Sequence, residues 1–277
     1  MNLKINVSRI CFYLCVLLLV LYSVGPFIWM LLSSLGSEED FFVMSPSIFP
    51  KHFTFVNYIN LIKDTYFTNF ILNSTYVTIG TISIAILVAT LAAYSLTRFN
   101  YRGRNLFATF SLFAYLLPEV LLVLPLYLFA VKLGLIDKLN GLIISYVALG
   151  LPYCIWMMRA FFQSVPIELE ESAFIDGASR LVALYYIVIP ISLPGIISTS
   201  VFLFTLVWNE YLFALVFMSS DIKMTFPVGL QNFISPHFIY WNYILSGSVL
   251  VTIPALIIFM ITQKALIKGW GTGGIKG

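Results

Sequence analysis

The 277 residues are 60% hydrophobic and only 10% charged, with a mean hydropathy of +0.97 and a net charge of +3. Soluble globular chains carry about 25% charged residues, so a water-soluble domain is excluded, and so small a positive excess does not point to nucleic acid. Charge is also segregated: Asp, Glu, Lys and Arg are absent from residues 10–37, 65–97, 139–158, 181–209 and 224–263, each longer than the roughly 18 residues that mark a spanning helix. A membrane barrel would alternate in hydrophobicity over segments of about ten residues. None does so here, and because lipid cannot pair an open backbone, an all-α integral membrane bundle is the remaining architecture.

Residues 1–9, with Lys4 and Arg9, precede a first helix expected over 10–34. It is too long for the apolar core of a signal peptide and lacks a small-x-small cleavage site, so it reads as an anchor. Cys11, Cys15 and Cys154 lie in apolar runs without a His or carboxylate at ligand spacing; they read as lipid-facing or helix-packed thiols, and no metal site is expected. An exterior loop over 35–69 holds Glu38, Glu39, Asp40, Pro46 and Pro50. Further spans are expected at 70–96, 106–131, 140–162, 195–218 and 243–266, within a core of 70–268, followed by a glycine-rich tail over 269–277. Pro118 and Pro125 remove backbone donors in the third span and can kink it.

Six spans place both termini on one side. With the termini in the cytoplasm, Lys4, Arg9, Arg98, Arg102, Arg104, Arg159, Arg180, Lys264, Lys268 and Lys276 fall inside, ten of the fifteen basic residues. Lys51, Lys63, Lys132, Lys138 and Lys223 fall outside, in agreement with the positive-inside rule. The aromatics, Phe67, Phe70, Trp208, Tyr211, Trp241 and Tyr243 among them, are mostly expected at the interfaces or facing lipid.

The interior loop over 163–193 concentrates Glu168, Glu170, Glu171, Asp176 and Arg180. Ser164 is suited to cap a short helix with acids near its positive end, Asp176-Gly177 to stop it, and Arg180 to meet the negative end. Ile167, Phe174 and Ala178 fall close to one face and would present a small apolar patch. A helix lying on lipid headgroups and a docking element for a soluble partner both fit this pattern.

The segment Glu171-Ser172-Ala173, three residues, Gly177, nine residues, then Ile187-Val188-Ile189-Pro190 resembles the E-A-A, x3, G, x9, I-x-L-P loop of ABC import permeases. Ser172 stands for the usual Ala and Ile189 for the usual Leu. Asn73-Ser74, Tyr94 through Arg104, Pro125-Leu126-Tyr127, Trp208-Asn209-Glu210-Tyr211 and the glycines from Gly269 to Gly277 are similar to the shorter permease of maltose-transporter type pairs. The resemblance implies a multi-pass protein of a bacterial-type cytoplasmic (inner) membrane, both termini cytoplasmic, importing a sugar or sugar-like solute. It further implies a coupling helix between spans four and five, with Glu171, Ser172, Ala173, Phe174, Asp176, Gly177 and Pro190 as ATPase-coupling residues. Its implied partners are a sister permease, two ATPase subunits that hold ATP and magnesium, and an extracytoplasmic solute-binding protein. This chain would bind no cofactor and is not expected to be an enzyme, since no G-x-x-x-x-G-K-[ST] phosphate loop occurs in the 277 residues. Gly269, Gly271 and Gly274 do match G-x-G-x-x-G, but without the strand-turn-helix that a dinucleotide site needs.

Glu119 and Glu210 are the carboxylates inside expected spans, where an ionised group costs roughly 3 kcal/mol on insertion scales. Glu119, Asn209 and Glu210 are therefore candidates for a solute pathway, since carboxylates and amides bond sugar hydroxyls; bracing between helices is the competing role. A secondary transporter would more often show internal repeats and broken helices. A membrane enzyme would need a metal or nucleophile set, and His52 and His237, the two histidines, are both expected outside the membrane. Hydropathy does not exclude a channel or a scaffold, though neither accounts for the loop motif.

Overall fold

A computed structural model describes residues 7–37 and 50–273, and among these the chain is helical. In chain order the helices are α1 (Val7–Ser34), α2 (Val56–Asp64), α3 (Phe67–Arg98), α4 (Arg104–Tyr115), α5 (Glu119–Lys132), α6 (Leu139–Gln163), α7 (Ile167–Ile175) and α8 (Arg180–Ala183). A π turn (Leu184–Val188) leads into α9 (Ile189–Ile191), then α10 (Leu193–Trp208), α11 (Leu212–Phe217), α12 (Phe226–Gln231) and α13 (Trp241–Gly273). Lys4, Glu38, Glu39, Asp40, Pro46, Gly274, Lys276 and Gly277 lie outside the described residues.

Among the described residues four helices, α1, α3, α6 and α13, are each long and apolar enough to cross a membrane. Two bent pairs bring the candidate spans to six: α4 with α5, which meet at 101°, and the stretch Arg180–Ile191 with α10, which meet at 76°. The continuous third span expected over 106–131 is therefore two helices. Leu116, Leu117 and Pro118 separate them, and Pro118 supplies no backbone N–H to carry the first helix onward. Pro125, by contrast, is accommodated inside α5. The expected span 195–218 also stops early, at Trp208, and resumes as α11 after Asn209–Tyr211. The residues Gly269–Gly273, expected in the tail, continue α13, because propagating an existing helix is far easier than starting one.

Internal contacts divide the chain into two units. In the first, up to Phe67 and again over Leu230–Ile253, Asn57 of α2 donates to the carbonyls of Ser34 (3.0 Å) and Gly36 (2.7 Å). One amide thus satisfies the Ser34 carbonyl that the end of α1 leaves open and that of Gly36 just beyond it.

The second unit, Thr68–Gly229 and from Pro254 onward, is a bundle organised on α6. Gly80 of α3 faces the Ile143 side chain, Gly150 lies beneath Leu203 of α10, and Gly195 of α10 lies against the Phe161 ring. Small residues at such crossings let helices approach in lipid, where packing must replace the hydrophobic drive. Ala85, Ala89 and Ala93, four residues apart, form a fully buried stripe along α3 for the same reason. Hydroxyls inside the helices bond back to the carbonyl four residues earlier, as Thr97 does to Ala93 and Thr199 to Gly195, which hides polar atoms from lipid.

Candidate functional site

Helix α7 connects α6 to α8. It does not begin at Ser164, which closes α6 and donates to the Phe161 carbonyl at 2.7 Å; Pro166 precedes its first turn instead. Proline suits that position because the first N–H groups of a helix have no intrahelical partner, and Glu168 and Glu170 favour the positive end. At the other end the Ala178 N–H bonds the Ala173 carbonyl (2.9 Å), and the Gly177 N–H bonds that of Phe174 (3.1 Å). Gly177 has φ +88°. This is the glycine-terminated exit in which a left-handed residue turns the chain away from the helix axis.

The helix faces match the sequence pattern only in part: Ile167 is exposed as expected, but Phe174 turns inward. Phe174, Ala173 and Ala178 are half-buried, whereas Ile175 is 86% exposed beside Glu168, Glu171 and Ser172. The exposed surface of α7 is thus acidic at Glu168 and Glu171, with Ile175 foremost among three exposed aliphatic side chains that also include Ile167 and Leu169. Phe174 is drawn inward because the Arg180 guanidinium lies 5.6 Å from its ring centroid and 4.7 Å from that of Phe99, a stacking that favours a delocalised cation.

Glu170 faces the opposite way and is 1% exposed. Arg98, the last residue of α3, places Nε 2.5 Å from its Oε1, and the Tyr94 hydroxyl donates to Oε2 at 2.8 Å. The same guanidinium donates to the Val165 carbonyl at 3.0 Å, so the buried acid and base are paired and bonded throughout. Sequence reasoning noted each of these residues without joining them. The available signal was spacing: Glu170 shares a helix face with Ala173 and Phe174, at i+3 and i+4.

Pro190 falls in α9, directly after the π turn. Its ring cannot sit over the carbonyl four residues back, and widening the preceding turn relieves that clash.

Of the pathway candidates, Asn209 and Glu210 do not act as a pair. Asn209 is exposed and its amide turns back to the Thr205 carbonyl (2.8 Å). Glu210 is 8% exposed and accepts from the N–H groups of Phe213 (2.8 Å) and Ala214 (3.2 Å), capping α11. Tyr146 of α6 donates its hydroxyl to the same carboxylate. Glu210 is thus a brace between α6 and α11. Glu119 is exposed at the first turn of α5 and lies within electrostatic reach of both Tyr146 and Glu210.

At the other end of the second unit, Asp137 adopts φ +57° between α5 and α6. Its carboxylate accepts from Lys223 Nζ (2.6 Å), the Ser220 hydroxyl (2.6 Å) and the backbone of Ser219 and Ser220. The Lys223 bond foremost, and then that of Ser220, hold its pKa well below the usual carboxylate range. Asn73 donates to the carbonyls of Ile222 and Met224, and Ser74 accepts from the Phe226 N–H. The loop 218–226 is thereby tied to the start of α3.

Residues 81–271 match the family described as "Binding-protein-dependent transport system inner membrane component". The chain is 35% identical over 277 residues to the trehalose/maltose transport system permease protein MalG of Thermococcus litoralis, covering 98% of each chain. It is 31% identical over 276 residues to the inner membrane ABC transporter permease protein YcjP of Escherichia coli, covering 99% of each. Among solved structures, a chain of a bacterial ABC transporter involved in import of the acidic polysaccharide alginate superposes with a TM-score of 0.81 at 22% identity, over 96% of this chain and 100% of that one.

Proposed function

The chain belongs to the family of inner membrane components of binding-protein-dependent transport systems, and on that premise we propose that it forms half of the membrane path of an ATP-driven importer for a sugar or sugar-like solute. The trehalose/maltose permease at 35% identity supports that solute class. The pathway is shared with a sister permease. An extracytoplasmic binding protein delivers the solute, and two ATPase subunits hold the ATP and magnesium. Both termini and α7 face the cytoplasm, in keeping with the positive residues Arg98, Arg102 and Arg104 near that end.

The observation that carries the reading is α7 itself. It is a short helix between two membrane segments, ended by Gly177, that turns Glu168, Glu171, Ser172 and Ile175 outward. Such a face suits a cleft with basic rims and an apolar floor, because a charged rim selects the partner while buried aliphatic anchors, Ile175 foremost, supply affinity. Glu171, Ser172 and Ile175 make the contact; Ala173 and Phe174 seat the helix, Asp176 and Gly177 set its exit, and Pro190 shapes the segment through which movement reaches α10. Glu119 and Asn209, both exposed, are the polar groups available to a passing solute, with Glu210 bracing the wall behind them.

Affinity purification of the tagged chain with its co-expressed neighbours tests the reading. The wild type should bring down an ATPase and a second permease, whereas Glu171→Ala and Gly177→Asp should weaken recovery of the ATPase alone. A chain that purifies by itself and moves solute in vesicles without ATP would overturn it.

A further inference from the structure

Resting on that reading, we infer that Arg98, Glu170 and Tyr94 make α7 a rigid extension of α3, so that movement imposed on α7 enters the bundle through α3 as well as through its covalent neighbours α6 and α8. Three contacts join α7 to the last turns of a helix some 70 residues earlier in the chain. Ahead of α7, the Val165 carbonyl accepts from Arg98. At its centre, both oxygens of Glu170 are taken by Arg98 and Tyr94. At its end, Arg180 stacks between Phe99 and Phe174.

The side chains of Arg98 and Glu170 are 6% and 2% exposed. Sliding α7 along α3 would leave two buried charges unpaired in a medium that solvates them poorly. Moving both helices together leaves every bond in place, so the concerted motion is the easy one. The far end of α3 holds the loop 218–226 through Asn73 and Ser74, about 35 Å away at 1.5 Å per residue. A tilt of α7 is thereby delivered to the opposite end of the second unit. Arg98, Glu170 and Tyr94 are positioning residues and need touch neither solute nor nucleotide.

The test uses the complete importer in lipid vesicles, with Cys11, Cys15 and Cys154 replaced by alanine and spin labels introduced through Leu91→Cys on α3 and Leu169→Cys on α7, an exposed side chain outside the proposed ATPase contact. With Arg98 and Glu170 intact, the label distance should keep its mean and width between nucleotide-free and ATP-bound states. With Arg98→Met it should broaden and become nucleotide-dependent, and solute taken up per ATP hydrolysed should fall several-fold while the ATPase still co-purifies. Arg98→Lys, which keeps the charge but not the fork, should recover part of the loss. Should Arg98→Met fail to fold, Arg98→Met with Glu170→Met removes both charges and leaves none orphaned; its uptake per ATP should also fall several-fold. A nucleotide-driven change of distance with the pair intact, or unaltered uptake per ATP in the double variant, overturns the inference. Failure of the unsubstituted chain to recover an ATPase would instead sink the importer reading.

Discussion

The second unit carries an acid–base pair near each end of α3, and the two look alike by distance alone: 2.5 Å for Arg98–Glu170 and 2.6 Å for Lys223–Asp137. Burial separates them. The first pair is 6% and 2% exposed, whereas Lys223 and Asp137 are 43% and 25% exposed. Water can re-solvate either member of the outer pair when it parts and can hardly reach the inner one. The same chemistry is therefore a fastening at one end and a loop tether at the other.

The largest expected effect follows from breaking the inner pair on one side. Arg98→Met strands the Glu170 carboxylate and should cost about 3–5 kcal/mol, read as a lowered midpoint of thermal unfolding in detergent. Glu170→Gln leaves the buried Arg98 without its counter-ion but keeps an oxygen that can accept from it, and should cost less; a loss as large as that of Arg98→Met from the double Arg98→Met, Glu170→Met variant, which strands neither charge, would refute the orphaned-charge account. Next comes Tyr146→Phe, which removes one of three donors to the buried Glu210 and should cost about 1.5–3 kcal/mol. If solute affinity changed while stability did not, Glu210 would be a contact and not a brace. Gly177→Ala should cost about 1 kcal/mol, because φ +88° is strained for any side chain, and should reduce ATPase recovery more than its stability loss explains.

The smallest effect belongs to the outer pair. Asp137→Asn should cost no more than about 1 kcal/mol and diminish further in high salt. A carboxyl with a lowered pKa binds fewer protons folded than unfolded, so its contribution is complete at neutral pH. It is lost as pH falls below about 4 and on through the depressed folded value. Stability measured between pH 7 and pH 5 should therefore be the same for Asp137→Asn and its parent, apart from a constant offset; a difference that varies across that range would contradict the placement of this group.

Membrane helices and the family-like loop were legible in the sequence, because both depend on local signals. Long apolar runs, five of them free of charge and the third span interrupted by Glu119 alone, identified the spans, and Glu171 with Gly177 at their spacing identified the loop. What misled was the assumption that a run of apolar residues is one helix. Hydropathy does not register a 101° break at Leu116–Pro118 or a cap at Glu210, since the residues on either side are equally apolar. On α7, Ile167 is exposed as its pattern indicated, but Phe174 turns inward, where Arg180 and Phe99 lie against it.

By itself, the sequence determined a helical membrane protein, its main apolar segments and the short acidic helix between two of them. These follow from the burial of apolar runs and from glycine's freedom at positive φ. Only the tertiary structure decided which carboxylates are bound, which face of α7 is free, and that Arg98 meets Glu170. Pairing across 72 residues of chain depends on how helices pack on α6, through Gly80, Gly150 and Gly195, and no local pattern encodes that packing.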